Sequence, residues 1–292
     1  GKETKDGLEI SKAFSFLTPE ASYHNGYIKD LSKLLEQTRE ELANHSIISG
    51  NCHLSIKSSA MITREILFPN LKEEELEGLL KYQLNEYLPM DPDKYIAQHR
   101  IIGKAMDMEG ERLNVLVAAI PRDIVDMHYV FIKELGLRPT IMDCQSNCIW
   151  KIMNVIDYIN DEITPSNRTI AIIDLGHGSV NITIVEDGVM KTNRVIEIDA
   201  HCRDGVNDTS PGSIIDRVHK IFRYYLSMDA RNEIDFIVLY GGLSSIEGID
   251  RDFSNYFNVP AIVLDELGRV YIGDDVNKYL NSIAGILRDD GM

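Results

Sequence analysis

Ala171-Ile-Ile-Asp-Leu-Gly-His-Gly-Ser179 is the stretch whose reading decides the fold. Residues 169–174 form a β-branched apolar run with no polar alternation, the pattern of a strand covered on both faces, and Gly176 and Gly178 close it. Residues 180–185 alternate as a second strand, and Glu186-Asp-Gly188 turns the chain into a third over 189–198. After a polar stretch at 199–212, Ile214, Ile215, Val218, Ile221, Phe222 and Tyr225 share one stripe of a helix predicted over 213–227, with Ser213 as its N-cap. Residues 236–240 read as another buried strand, 245–257 as a helix and 260–264 as a last strand. This β-β-β-α-β-α-β order predicts a twisted sheet with helices packed on its faces.

Outward from that block, the first half repeats the same order without its leading hairpin: a strand over 8–16, an amphipathic helix over 31–42 and a buried strand over 53–58. Between Met61 and Asp143 a separate unit intervenes, with a strand at 62–68, a helix at 72–88, strands near 96–102 and 113–120, and a helix at 122–135. A further helix is predicted over 146–158. The domain reading is therefore a first lobe beginning at 1–60, an insertion at 61–137, a return and link at 138–168, and a second lobe at 169–292.

The 292 residues are 44% hydrophobic and 26% charged, the composition of a folded chain. A net charge of −16 repels phosphate backbones and anionic head groups, which disfavours direct nucleic-acid or membrane-surface binding. The uncharged apolar runs, such as 115–120 and 236–240, fall far short of the roughly 20 residues of a membrane-spanning helix. Cys52, Cys144, Cys148 and Cys202 are too few for a disulfide scaffold, and no leader pattern opens the chain, so a reducing cytoplasm is expected. Cys144 and Cys148 are expected as buried thiols on one helical face, and Asp199, His201 and Cys202 as a polar loop and not a metal site.

Two places could carry chemistry. Asp174 ends a buried strand just before a glycine-rich hairpin, where a carboxylate can hold Mg²⁺ through water and small residues admit phosphate oxygens; a plain hairpin that needs glycine is the alternative. In Val238-Leu-Tyr-Gly-Gly-Leu-Ser-Ser-Ile-Glu-Gly-Ile249, paired glycines at a strand end admit a base or ribose, or simply make a strand-to-helix turn. His177 reads as a solvated loop histidine, Glu247 as a carboxylate in the first turn of a helix, and Lys72-Glu-Glu-Glu75 as a helix start.

Asp174-Leu-Gly-His-Gly-Ser-Val-Asn181 and Tyr240-Gly-Gly-Leu-Ser-Ser-Ile-Glu-Gly248 resemble the second phosphate motif and the adenosine motif of the actin-like ATPase superfamily. More narrowly, Glu73-Glu-Glu-Leu76 and four longer segments resemble the PilM family of FtsA-like type IV pilus assembly proteins. The longer ones are Leu54-Ser-Ile-Lys-Ser-Ser-Ala-Met-Ile-Thr-Arg-Glu-Ile-Leu-Phe-Pro69, Tyr82-Gln-Leu-Asn-Glu-Tyr-Leu-Pro89, Val117-Ala-Ala-Ile-Pro-Arg-Asp-Ile-Val125 and Leu135-Gly-Leu-Arg-Pro-Thr-Ile-Met-Asp143, and the likeness covers nearly the whole chain.

The resemblance implies an α/β, actin-like (ribonuclease H-like) two-lobed fold with an inserted β-α-β-β-α subdomain. It implies ATP and Mg between the lobes, with weak hydrolysis or none, and no catalytic residue is assigned. The implied role is a cytoplasmic adaptor, peripheral to the inner membrane through a protein partner. That partner is the cytoplasmic N-terminal tail of an inner-membrane PilN-like protein, and pilus assembly ATPases are further implied partners. Residue by residue, Asp174 would orient Mg²⁺ or its water, Gly176, Gly178 and Ser179 would face phosphates, and Gly241 and Gly242 would face adenosine. Ile62, Ile66, Leu80 and Leu84 would line the groove for the tail, with Phe68, Leu79 and Leu88 in the same wall; the same side chains also read as the subdomain's own core.

The sequence departs from the family twice. The strand and hairpin of the first phosphate motif do not precede Gly1, which predicts a trimmed chain or a strand supplied in trans. The stretch 199–212 is shorter than its family counterpart, which predicts weaker contacts to a base. Two other readings of the same fold remain: an active ATPase or small-molecule kinase, for which no positioned base is found, and a nucleotide-free interaction module.

Overall fold

The computed structural model describes residues 1–87, 91–107, 110–198 and 209–287. In chain order the first elements are β1 (Lys2–Thr4), β2 (Gly7–Ile10), β3 (Tyr23–His24), β4 (Tyr27–Ile28), α1 (Leu31–Asn44), β5 (Asn51–Ile56), β6 (Ile62–Pro69) and α2 (Glu73–Tyr87). Then follow β7 (Tyr95–Asp107), β8 (Gly110–Pro121), α3 (Arg122–Glu134), β9 (Arg138–Cys144), α4 (Gln145–Met153), β10 (Thr169–Leu175), β11 (Ser179–Glu186) and β12 (Val189–Glu197). The last are α5 (Pro211–Met228), β13 (Phe236–Tyr240), α6 (Ile249–Phe257), β14 (Ala261–Val263), β15 (Val270–Ile272) and α7 (Val276–Ala284). The chain clusters into two units. One comprises Gly1–Phe16, His53–Lys57 and Ile141–Met292, and the other Leu17–Cys52 and Ser58–Thr140.

The first unit is built on a five-stranded sheet in the order β12-β11-β10-β13-β14, with β10 antiparallel to β11 and parallel to β13. All seven residues of β10 are buried, because helices cover both faces of the sheet. The two-residue period of a strand divides its side chains between two cores. Ile170 and Ile172 join Val238 and Tyr240 of β13 in a core completed by α4 and α7. Ala171, Ile173 and Leu175 join Ile237 and Leu239 in the other, completed by α5 and α6. Asp174 is in phase with Ile170 and Ile172, so its carboxylate is delivered to the side of α4 and α7.

Several boundaries differ from the sequence reading for identifiable reasons. The strand expected over 8–16 is only Gly7–Ile10, where Leu8 is fully buried and β2 pairs in parallel with β15. That pairing ties the N-terminal segment to the C-terminal one, so residues 1–16 cluster with 141–292 and residues 17–52 with 58–140. The β5 strand is mostly half-buried, unlike the buried strand expected there. The helix expected over 213–227 starts at Pro211, and its N-cap is Ser210, whose Oγ accepts from the Ser213 N–H at 3.3 Å. Proline at the first helical position costs no hydrogen bond, so the start moves upstream. Ser210→Ala is expected to lower stability by about 1 kcal/mol in urea unfolding. The α6 helix begins at Ile249 after Gly248, so Glu247 precedes the helix, and Asp250 and Asp252 occupy its first turn.

In the second unit, β8 is the middle strand of a sheet ordered β6-β8-β7. Its alternation sends Leu113, Val115, Val117 and Ala119 to one face, where they pack with Phe68, Leu76 and Leu80. Lys72-Glu-Glu-Glu75 is the helix start expected, α2 opening at Glu73, and the Lys72 N–H donates to the Glu75 carboxylate at 3.0 Å. The β3-β4 hairpin turns on Asn25 and Gly26, both at positive φ, a two-residue signal passed over in the sequence reading. No described helix is long and apolar enough to cross a membrane.

Candidate functional site

Asp174 closes β10 with its carboxylate buried, its side chain only 6% exposed. Its Oδ2 accepts from Lys57 Nζ at 2.8 Å, Gln145 Nε2 at 2.7 Å and Asn281 Nδ2 at 3.4 Å. Lys57 follows β5, Gln145 opens α4, and Asn281 projects from α7, so three segments distant in sequence converge on one oxygen. Beside it, Tyr240 is paired with Asp174 in the β10-β13 register and donates its hydroxyl to Asn281 Oδ1 at 2.9 Å. Gln145 Nε2 also lies 3.0 Å from the Tyr240 hydroxyl and 2.6 Å from Asn281 Oδ1. Burial, and then the charge of Asp174, push the Tyr240 phenol well above its ordinary range, so it remains a neutral hydroxyl.

The glycine loops sit around this centre. The Gly176 N–H donates to Ser179 O at 3.1 Å, which closes the β10-β11 hairpin. A Cβ on Gly176 would lie 2.8 Å from that oxygen and 3.2 Å from Lys57 Nζ. Gly241 has φ +91 and ψ 174, and its N–H donates to Asn277 Oδ1 at 2.9 Å. Asn277 also donates to Leu264 O, while Ser244 Oγ donates to Gly241 O. Gly178 and Gly242 are exposed, and a Cβ at either meets nothing within 4 Å. His177 is exposed, as expected of a loop histidine, and Ser179 is half-buried.

This arrangement disfavours direct coordination of Mg²⁺ by Asp174 Oδ2, and the contact through water expected there would have to share the carboxylate with the Lys57 ammonium. A divalent cation needs several oxygen ligands, whereas the groups converging on this carboxylate present N–H donors, one of them a full positive charge. The N–H groups of Gly176 and Gly241, expected to face phosphate and adenosine, are already engaged inside the protein. Among the described residues no group of three His, Cys, Asp or Glu side chains is placed to hold a metal. Asp199, His201 and Cys202 lie outside the described residues.

The described residues expected to line a partner groove share one core, Ile62 and Ile66 packing against the cluster that contains Leu80 and Phe68. Ile62 and Ile66 are half-buried on β6, an edge strand that pairs with β8. Leu80 is 6% exposed, and Phe68 is fully buried; both belong to the core under the sheet, so neither offers a wall to a peptide. The side chain of Leu84 and residue Leu88 lie outside what is described. Lys57, Gln145, Asn277 and Asn281 were not singled out from sequence. The signal for the last two was a pair of asparagines four apart on one face of an otherwise apolar helix, Val276-Asn-Lys-Tyr-Leu-Asn-Ser-Ile-Ala284.

Of the two cysteines expected as buried thiols on one helical face, Cys148 is buried within α4, whereas Cys144 is half-buried and forms the N-cap of that helix. Burial, with the Asp143 charge second, raises the Cys144 thiol and pushes Cys148 to about 12. In the unfolded chain these thiols ionise near pH 9, whereas in the folded chain Cys148 does so only near 12. Their contribution to stability is thus complete below about pH 9 and lost as pH rises toward 12. Thermal unfolding is expected to show Tm falling over that interval, and iodoacetamide at pH 8 to leave Cys148 unmodified until the chain unfolds.

The doubly covered sheet, with strands ordered 3-2-1-4-5 and helices on both faces, defines an α/β protein of the actin-like class. The description "Type IV pilus assembly protein PilM" matches residues 1–195, more than half of the chain. The chain belongs to the PilM family of type IV pilus assembly proteins. It is similar to a solved PilM-PilN type IV pilus biogenesis complex at 15% identity, covering 96% of both chains with a TM-score of 0.74. It also matches a Bacteroides thetaiotaomicron protein of actin-like ATPase fold and unknown function at 13% identity, covering 87% of this chain and 80% of that one, TM-score 0.46. MreB5 of Spiroplasma citri bound to ADP matches at 11%, covering 90% and 76%, TM-score 0.42.

Proposed function

We propose that this chain is an adaptor of type IV pilus assembly that holds the cytoplasmic N-terminal tail of an inner-membrane PilN-like protein. The observation that carries this reading is the family match over 1–195, which contains the whole unit formed by 17–52 and 58–140. The similar fold of the protein in the PilM-PilN complex supports it. So does the position of β6 at a sheet edge, where Ile62 and Ile66 stand half-buried, a form suited to an extended peptide. Titrating this chain into a fluorescent peptide of the partner tail is expected to give saturable anisotropy, weakened on the order of tenfold by Ile66→Glu. No binding at high micromolar protein would overturn the reading.

The nucleotide-free form of this function is favoured over an ATP-loaded one by a specific observation: the Asp174 carboxylate and the N–H groups of Gly176 and Gly241, three of the groups expected to meet Mg·ATP, have protein partners. Thermal unfolding with and without millimolar Mg·ATP is expected to give the same Tm, whereas ligand at about 100 times its Kd would add about 2.7 kcal/mol of stability. A rise of several degrees would sink the nucleotide-free form and leave tail binding as a separate question.

A further inference from the structure

We propose that Lys57 is a built-in cation: its ammonium occupies, on the Asp174 carboxylate, the position a divalent metal would take, so the centre is complete without metal and becomes a metal site only when Lys57 is removed. The Lys57 side chain is 25% exposed and reaches its partner at 2.8 Å, while the carboxylate is 6% exposed. A carboxylate buried to that extent requires a counter-charge, and the only cationic group bonded to it among the described residues is this ammonium. Gln145 and Asn281 add neutral donors to the same oxygen and bring no charge.

The space that Lys57 fills has the makings of a cation site once it is vacated. It adjoins the Gly176 backbone, where a Cβ would stand 3.2 Å from Nζ. Next to it, Gln145 Oε1 is buried with no hydrogen-bond partner. With the ammonium gone, a cation there would hold the Asp174 carboxylate directly and take its remaining ligands from water. This inference does not rest on the tail-binding reading.

The test compares the full chain with Lys57→Ala, each melted in EDTA, in millimolar Mg²⁺ and in methylammonium chloride, with Mn²⁺ binding followed by electron paramagnetic resonance. Wild type is expected to melt identically with and without Mg²⁺ and to bind no Mn²⁺ at this centre. Lys57→Ala is expected to lose on the order of 5 °C in EDTA and to regain most of it with Mg²⁺ or methylammonium. The double variant Lys57→Ala/Asp174→Asn, with no buried charge left, is expected to fold and to ignore both cations. Lys57→Ser, which also vacates the space, carries the same comparison where the alanine variant does not fold. Mn²⁺ bound by wild type and lost in Asp174→Asn would overturn the proposal. So would Lys57 variants that respond to neither cation.

Discussion

Replacing Gly241 by alanine is expected to destabilise the protein by about 4 kcal/mol or more, enough to leave much of it unfolded at ambient temperature. At φ +91 and ψ 174 this residue occupies a region of backbone space that is essentially glycine's alone. A Cβ would also stand 2.5 Å from Asp174 Oδ1 and 3.1 Å from Leu175 O. Both obstacles are rigid: one is a carboxylate held by three donors, the other the backbone of the central strand. Moving the loop aside would break the Gly241 N–H bond to Asn277 and the Ser244 bonds to Gly241 O. Gly242→Ala is the internal control, since its Cβ meets nothing, and a change within about 1 kcal/mol is expected. Urea unfolding of the two variants checks this, and equal midpoints would mean that the loop does not hold the described conformation.

Asp174→Ala is expected to cost about 3–5 kcal/mol, because it strips a shared acceptor from an ammonium and two amides at once. Lys57→Ala should cost less, since water can reach around a side chain that is a quarter exposed. In a double-mutant cycle with Lys57→Met and Asp174→Asn, the double variant should be more stable than the sum of the single losses predicts, because it leaves neither charge unpaired. Additive losses would mean that the ion pair carries no energetic weight. Conversely, a stable Asp174→Ala would mean that water already shares this carboxylate.

The two experiments bear on what the glycine loops are for. From sequence, Gly176 and Gly241 suited the close approach of phosphate and adenosine. In the structure, the glycine at 241 is required by the backbone and by Asp174, and the one at 176 by the hairpin oxygen and Lys57. At these two glycines the space expected for a nucleotide is taken by internal partners, and this is the physical basis for the proposal of an adaptor that works without metal at this centre.

Much of the fold was legible because burial on both faces leaves an unmistakable record. Thr169–Leu175 and Phe236–Tyr240 had to be central strands, and a stripe such as Ile214, Ile215, Val218, Phe222 and Tyr225 had to be a helix facing them. The ordered segments between residues 54 and 143 were enough to indicate the family. Short elements were not legible: β1, β15 and the β3-β4 hairpin draw their order from pairing partners far along the chain, and two or three residues carry no periodicity.

What the sequence alone determined, then, is the layered α/β architecture, the family and the placement of Asp174 at the end of a buried strand, all consequences of local patterning. Only the tertiary structure decided what Asp174 meets there. Lys57, Gln145 and Asn281 lie 117, 29 and 107 residues away in the chain, and no local pattern records which donors will converge on an oxygen across such distances. That convergence, an ammonium set against a buried carboxylate, separates a centre open to metal from one already complete.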